Sequence, residues 1–122
     1  MVPDVPYNWR SPQNDNLWQG VDGINNPCPS GFRVPIITEL AAELATWSSS
    51  DSVGAYASTL KWTVPGYHDY QSGVIARAGS WGRYWSSTVN SVNSRQLYFT
   101  GSSANIGNDA RAVGYAVRCI RN

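Results

Sequence analysis

The last third of the chain interleaves two kinds of residue that belong in different environments. Large apolar side chains, among them Trp85, Leu97, Phe99 and Val117, recur between short runs of Asn, Ser, Gly, Tyr and Thr. The first kind is typical of a rigid sheet framework. The second is the composition of an adaptable binding surface, in which Tyr supplies stiff contact area and Ser, Gly and Asn supply hydrogen bonds. The segment therefore predicts a displayed recognition face rather than a catalytic site.

Hydrophobic patterning predicts three strands in this region, at 83–88, 95–100 and 114–120. In the second strand, alternation directs Leu97 and Phe99 to the core. The same alternation predicts an outward row of Gln96, Tyr98 and Thr100. The Asn- and Gly-rich stretch 101–110 is predicted to be a connecting loop.

Two helices are predicted before these strands. Thr38 is a candidate N-cap of a helix over 38–48, with a buried stripe of Leu40, Leu44 and Trp47. Asp51 is a candidate N-cap of a second helix that ends near residue 60, with four expected core residues: Val53, Tyr56, Ala57 and Leu60. Helices followed by an antiparallel sheet predict an α+β fold. Residues 1–25 are expected to be an extension of loops, anchored by Trp9, Leu17 and Trp18.

Length and charge narrow the classes of function. The 122 residues suffice for one domain over 1–122. The net charge is +1 without a basic cluster, so we expect neither a nucleic-acid partner nor attraction to an anionic membrane. No stretch is long and apolar enough to span a bilayer. The N-terminal residues lack the pattern of a secretory signal.

Cys28 and Cys119 are the only cysteines. Their positions near opposite ends of the predicted core suggest one long-range disulfide, which would stabilise the fold by about 4–5 kcal/mol in the chain-entropy model. Two unpaired buried thiols in a reducing compartment are the alternative. One His and two distant Cys lack the spacing of a metal site, and we expect neither a metal nor a cofactor.

An ordered series of short motifs runs from about Asn26 to Asn122: NPCPSGFRVP, a predicted helix, LKWTVPGYHDY, RYWSST, LYF and VGYAVRCIRN. The series resembles the Fibrobacter major paralogous domain family, which is related to the variable proteins of diversity-generating retroelements. The resemblance implies a C-type lectin fold, in which the termini lie close together and two helices flank a twisted antiparallel sheet. It also implies a disulfide between Cys28 and Cys119. The first 25 residues lie outside the match.

The resemblance further implies a variable region over 80–122. In the related retroelement systems, a reverse transcriptase errs at template adenines, so that Asn codons become codons for many other residues. Trp81 and Gln96 cannot arise in this way, so they are fixed or derive from another template codon, and both remain candidate ligand contacts. Nine positions fit an Asn-codon origin: Arg83, Tyr98, Thr100, Ile106, Gly107, Asp109, Ala110, Val113 and Tyr115.

We therefore expect a binding domain without catalytic residues, which contacts a macromolecular ligand, protein or glycan, on a cell surface. Arg83 and Asp109 are expected to add charge complementarity. The aromatic anchors would be Trp81, Tyr84, Tyr98 and Tyr115. Such a domain would serve as a viral receptor-binding protein or a microbial adhesin. Its location would be extracellular, on a cell surface or a virion.

Two other functions are compatible with parts of the pattern. An undiversified secreted or surface domain of the same fold could bind protein or glycan, with a calcium-free sugar site built from Trp81, Tyr84 and Tyr98. The triplets typical of calcium-dependent sugar binding are missing. Formylglycine-generating enzymes elaborate this fold with extra catalytic cysteines, but both cysteines here match the structural pair. His68 and Asp69 are adjacent without a nucleophile-elbow motif, and His68 is predicted to lie in a loop.

Overall fold

The computed structural model describes residues 14–69, 71–111 and 113–121, so the predicted anchor Trp9 lies outside the described residues. No helix among them is long and apolar enough to cross a membrane. The strands pair antiparallel in three groups: Phe32–Arg33 with Ile120–Arg121, Tyr67–His68 with Ile75–Ala76, and Gly82–Asn90 with Asn93–Phe99, which also pairs with Ala104–Ala110. This mixture of helices and small antiparallel sheets agrees with the predicted α+β class. The elements run in the order β1 Phe32–Arg33, α1 Ile37–Ala45, α2 Ser52–Ala57, β2 Tyr67–His68, β3 Ile75–Ala76, β4 Gly82–Asn90, β5 Asn93–Phe99, β6 Ala104–Ala110 and β7 Ile120–Arg121.

Helix α1 has Ile36 at its N-cap, so the prediction of Thr38 is wrong. Ile36 has no side-chain acceptor, and other residues satisfy the backbone donors of the first turn. Glu39 Oε1 accepts from the Ile36 N–H at 2.9 Å, and Thr88 Oγ1 on β4 accepts from the Ile37 N–H at 2.9 Å. A residue distant in sequence thus takes part of the capping role, which local sequence cannot reveal.

Helix α2 starts as predicted, with the Asp51 carboxylate accepting from the Gly54 N–H at 2.9 Å. Its buried side differs from the prediction, because Gly54 and Ala55 are buried. A Cβ at Gly54 would overlap the backbone of Ser49, so only glycine lets this short helix pack so closely. The four residues expected in the core are exposed: Val53, Tyr56, Ala57 and Leu60.

Strand β5 lies between β4 and β6. Strand β6 occupies most of the stretch 101–110, which was predicted as a loop. Its residues have weak strand propensity, but pairing with β5 along its whole length stabilises the extended conformation. The predicted strand at 114–120 is also corrected. A regular strand forms there only at β7, while Gly114 and Ala116 make isolated bridges to His68 and Tyr84.

The core lies between the helices and one side of the β4–β5–β6 sheet. Leu97 and Phe99 are fully buried, which confirms the prediction for their side of β5. Aromatic rings fill the space around them, with centre-to-centre distances of 5.3 Å for Trp47–Phe99 and 4.8 Å for Trp62–Tyr84. Edge-to-face pairs of this kind add to the stabilisation from burial alone.

The predicted apolar stripe of α1 packs on this core. Leu40 is buried and Leu44 packs partly buried against the cluster. The Glu43 carboxylate accepts from the indole Nε1 atoms of Trp47 and Trp62, both at 3.2 Å. The carboxylate therefore fixes two core rings through their only polar atoms.

A disulfide joins Cys28 to Cys119, 91 residues apart in the sequence. It confirms the predicted long-range bridge and excludes two unpaired thiols. Strands β1 and β7 pair close to it, with Arg33 opposite Ile120. Bridge and ladder together tie the segment before α1 to the end of the chain.

Replacing both cysteines with serine should lower the free energy of unfolding by about 4–5 kcal/mol, because the unfolded chain would no longer be closed into a long loop. Denaturant unfolding of the unaltered protein and the double variant measures this difference. Reductant should destabilise the unaltered protein by a similar amount. A double variant as stable as the oxidised protein would contradict the role assigned to the bridge.

Candidate functional site

The side of the β4–β5–β6 sheet that faces away from the core carries a dense group of polar and aromatic side chains, and we call it the outer face. Strand register aligns Arg83, Tyr98 and Asn105 in one row across the sheet. Tyr67, Trp81 and Tyr115 contact this side from neighbouring segments. The strand residues of the outer face are Arg83, Trp85, Ser94, Gln96, Tyr98, Asn105, Gly107 and Asp109.

The Arg83 guanidinium is surrounded by four aromatic rings. Its Cζ lies 4.8 Å from the ring centre of Trp81, and 5.3, 5.3 and 5.5 Å from those of Tyr67, Tyr98 and Tyr115. Ring faces attract cations, typically by about 0.5–2 kcal/mol per contact. The Arg83 Nε is buried and has no hydrogen-bond acceptor among the described residues. The rings therefore form much of the immediate environment of this charge.

Tyr115 links Arg83 to Asp109. Its hydroxyl accepts from Arg83 Nη1 at 2.9 Å and donates to Asp109 Oδ2. The same carboxylate oxygen lies 3.7 Å from Arg83 Nη1. Burial of the phenol, reinforced by the hydrogen bond to Asp109, raises the pKa of Tyr115 well above its ordinary value. The ring packs on Trp85 with centres 4.4 Å apart, so a neutral phenol holds the carboxylate and the guanidinium together.

A cavity of about 160 Å³ opens beside this network. One wall comes from Asp69, whose Oδ1 accepts from the backbone N–H groups of Ser72 at 2.9 Å and Gln71 at 2.8 Å. These hydrogen bonds lower the pKa of Asp69, so it is ionised at neutral pH. The lining residues are Tyr67, Asp69, Arg83, Asp109, Val113 and Tyr115.

Most of the predicted ligand residues come together at the outer face and the cavity: Trp81, Arg83, Gln96, Tyr98, Gly107, Asp109, Val113 and Tyr115. Gln96 does not join an exposed row, as alternation predicted, because its side chain is only 3% exposed. Its Oε1 lies 3.5 Å from Arg83 Nη1. Gln96 therefore supports Arg83 from within the sheet. Any ligand contact by Gln96 would be indirect.

Four other predicted ligand residues lie elsewhere: Tyr84, Thr100, Ile106 and Ala110. Tyr84 is buried in the core and its hydroxyl donates to the Thr63 carbonyl at 3.0 Å. Ile106 packs against the core cluster, and Ala110 shares its side of β6 by alternation. Thr100 holds the turn between β5 and β6 through its backbone and hydroxyl. Ile106 and Ala110 lie on the core side because the register of β6 is invisible in a stretch predicted as a loop. Tyr84 follows Arg83 in β4, so alternation places it on the opposite side of the sheet.

Three contributors escaped the sequence-based prediction. Asn105 was missed because β6 was missed, and it stands exposed opposite Tyr98. Tyr67 and Asp69 both line the cavity, whereas His68 between them is exposed in β2 rather than lying in a loop. The spacing of Tyr67 and Asp69 was an available signal, since Asp69 directly follows β2 and residues two apart in an extended segment share a side.

Comparison with family models, curated proteins and solved structures gives no match to this chain. Within residues 14–69, 71–111 and 113–121, His, Cys, Asp and Glu side chains nowhere form a group of three that could hold a metal ion.

In an alkaline titration followed by phenolate absorbance, the Tyr115 phenol should stay protonated well above the ordinary tyrosine pKa. Because its pKa is raised in the folded state, its contribution to stability is complete below the ordinary value and is lost as the pH rises above it. Tyr115→Phe should abolish the late titration and lower the free energy of unfolding by about 1–3 kcal/mol, since it removes the hydroxyl between two charged groups.

Tyr56→Phe is the matched control, because Tyr56 is 61% exposed on α2. This variant should retain the late-titrating phenol and the stability of the unaltered protein. A late titration that survives in Tyr115→Phe would show that another tyrosine is responsible.

Proposed function

We propose that this chain is a non-covalent binding domain that contacts a macromolecular ligand on a cell surface through its outer face. One observation carries the proposal: an arginine lies within 5.5 Å of four aromatic ring centres on the side of the sheet turned away from the core. Trp, Tyr and Arg are the residues that most often dominate binding energy at protein interfaces. Their concentration on one side of a small domain supports an interface rather than a core.

The fixed position of the Arg83 side chain is a second observation that supports the proposed binding function. The Arg83 side chain is held by Tyr115 and Asp109 and backed by Gln96. A side chain already fixed in one rotamer loses less conformational entropy when a ligand arrives. The network therefore makes the outer face a rigid platform, with the exposed Asn105 and the half-buried Tyr98 beside Arg83.

We further propose that the domain has a C-type lectin fold whose outer face is diversified by a retroelement. The disulfide between Cys28 and Cys119 and the two helices that precede an antiparallel sheet agree with that fold. Alternation in β5 separates Tyr98 from the buried Leu97 and Phe99, so Tyr98 can change while the core stays intact. A Cβ at Gly107 would lie 3.3 Å from Tyr98 Cε1, so larger residues there would contact that ring.

An undiversified domain that binds glycan or protein is the second candidate. Trp81 and Tyr98 are half-buried and flank Arg83, and their accessible ring surface would suit a sugar without calcium. An enzyme of the formylglycine-generating type receives less support, because that chemistry uses catalytic thiols and both cysteines of this chain form the disulfide.

The proposed location is extracellular, on a cell surface or a virion. Its support is the disulfide between Cys28 and Cys119, since such bonds persist in oxidising environments. In that setting the domain would act as a viral receptor-binding protein or a microbial adhesin.

Tyr98→Ala and Trp81→Ala should each reduce binding of the fluorescently labelled protein to whole cells, screened over a microbial and animal panel. Loss of a central aromatic anchor typically weakens binding by about 2 kcal/mol or more, roughly thirtyfold. Tyr56→Ala is the matched control, since Tyr56 is exposed on helix α2, outside the outer face. Equal binding by all three folded variants on cells that bind the unaltered protein would contradict the proposed interface.

Deep sequencing of the gene and its flanking DNA in the native population tests diversification. We expect substitutions at the codons for Arg83, Tyr98, Gly107 and Asp109, with a nearby repeat that carries Asn codons there. The codons for Tyr84 and the buried strand residues should stay constant, because core changes are costly. A uniform gene without such a repeat would leave only the undiversified alternative.

A further inference from the structure

The cavity beside Arg83 has a size that suits the end of one side chain. Its volume of about 160 Å³ corresponds to roughly five water molecules at the volume each occupies in the liquid. Val113 closes one wall with apolar surface and is 5% exposed. The cavity is therefore a candidate for the specific capture of one group on a larger ligand.

Among the residues that the structure describes, the charges around the cavity leave one carboxylate without a counterion. Arg83 and Asp109 compensate each other at 3.7 Å. Asp69 is held by turn amides through Oδ1, and in the described part of the chain it takes part in none of the ion pairs. Because its pKa is lowered, Asp69 is negatively charged at neutral pH. One positive charge bound in the cavity would neutralise Asp69.

Two tyrosine rings give the cavity walls that attract a cation. Tyr67 and Tyr115 lie at 83° to each other with centres 6.0 Å apart. The protein already uses these two rings for a cation, since the Arg83 Cζ lies 5.3 and 5.5 Å from their centres. A ligand cation between the rings and Asp69 would combine ring and carboxylate attraction in a partly desolvated space.

Other ligand chemistries fit less well. An anion would add a further negative charge beside Asp69 and Asp109, and Arg83 already donates from Nη1 to Tyr115 while its Nε is buried. A neutral sugar hydroxyl could donate to Asp69 but would leave its charge uncompensated. The combined lining thus favours a cation over an anion or a neutral group.

We propose that this cavity binds a basic side chain, lysine or arginine, presented by a protein ligand. The proposal rests on the proposed function, because it names the group that the macromolecular ligand inserts. The cation would lie between Tyr67 and Tyr115 and pair with Asp69. The surrounding outer face would contact the remainder of that ligand.

The test uses amide chemical shifts of the full chain titrated with small probes. N-acetyl-lysine amide or N-acetyl-arginine amide should shift signals around Val113 and Asp69, with dissociation constants on the order of millimolar, as expected for such small ligands. N-acetyl-norleucine amide, an uncharged analogue of the lysine probe, should bind at least roughly fivefold more weakly. The tighter of the two basic probes identifies which residue the ligand presents.

Asp69→Asn removes the charge and keeps an Oδ1 acceptor for the turn. It should weaken binding of the basic probe roughly fivefold or more. Asp51→Asn is the matched control, since Asp51 also accepts a backbone N–H through Oδ1 but lies at the start of α2. The affinity of Asp51→Asn for the basic probe should stay within about twofold of that of the unaltered protein. This change is well below the one expected from the loss of an ion pair.

Equal affinity for norleucine and lysine probes, unchanged affinity in Asp69→Asn, or tighter binding of methyl glucoside or acetate would overturn the proposal. The probes can be used without knowing the macromolecular ligand. If they do not bind, reduced cell binding by Tyr98→Ala would still support the proposed interface. Conversely, the Tyr98→Ala and Trp81→Ala variants could bind cells as well as the unaltered protein while Asp69→Asn weakens binding of the lysine probe. These results together would refute the proposed interface but not the chemistry of the cavity.

Discussion

Strand β5 lies at the centre of the three-stranded sheet, and each of its side chains faces either the core or the outer face. Leu97 and Phe99 point into the aromatic core, where both are fully buried. Gln96 and Tyr98 point to the outer face and contact Arg83 there. A shift of one residue in the pairing would exchange the two sets. The core and the candidate binding face are therefore determined by the same register.

The outer face contains a half-buried positive charge, on Arg83, which neighbouring residues neutralise. An arginine cannot lose its proton in a protein, so a half-buried guanidinium needs compensation. Asp109 supplies the opposite charge, Tyr115 joins the two groups, and the surrounding rings supply the remaining contacts. A functional consequence follows, because a side chain fixed in this way needs little rearrangement when a ligand binds. The cavity adds Asp69, whose charge is not compensated within the network.

The segment after β6 shows how an irregular chain can build part of a precise site. It has no long strand, yet backbone hydrogen bonds join Ala116 to Arg83 and Trp85 of β4, and Gly114 to His68 of β2. These bonds position Tyr115 between the two neighbouring strands. The disulfide at Cys119 and the short strand β7 then fix the end of the segment. Tertiary contacts rather than local propensity hold this part of the fold.

The sequence by itself determined the features that local chemistry dictates: the Asp51 cap, the inward side of β5 and the α+β class. It suggested the bridge between Cys28 and Cys119 but left two unpaired thiols open as the alternative. Composition and the family resemblance together singled out Arg83, Tyr98, Asp109 and Tyr115 as candidate ligand contacts. Only the tertiary structure decided that Thr88 helps to cap α1, that 104–110 pairs as a strand, and that Tyr84 and Gln96 are buried. Each of these depends on contacts between residues far apart in the chain. Local propensity is too weak to fix such contacts, so the cavity between Asp69 and Tyr115 appears only when the sheet and its flanking segments are assembled.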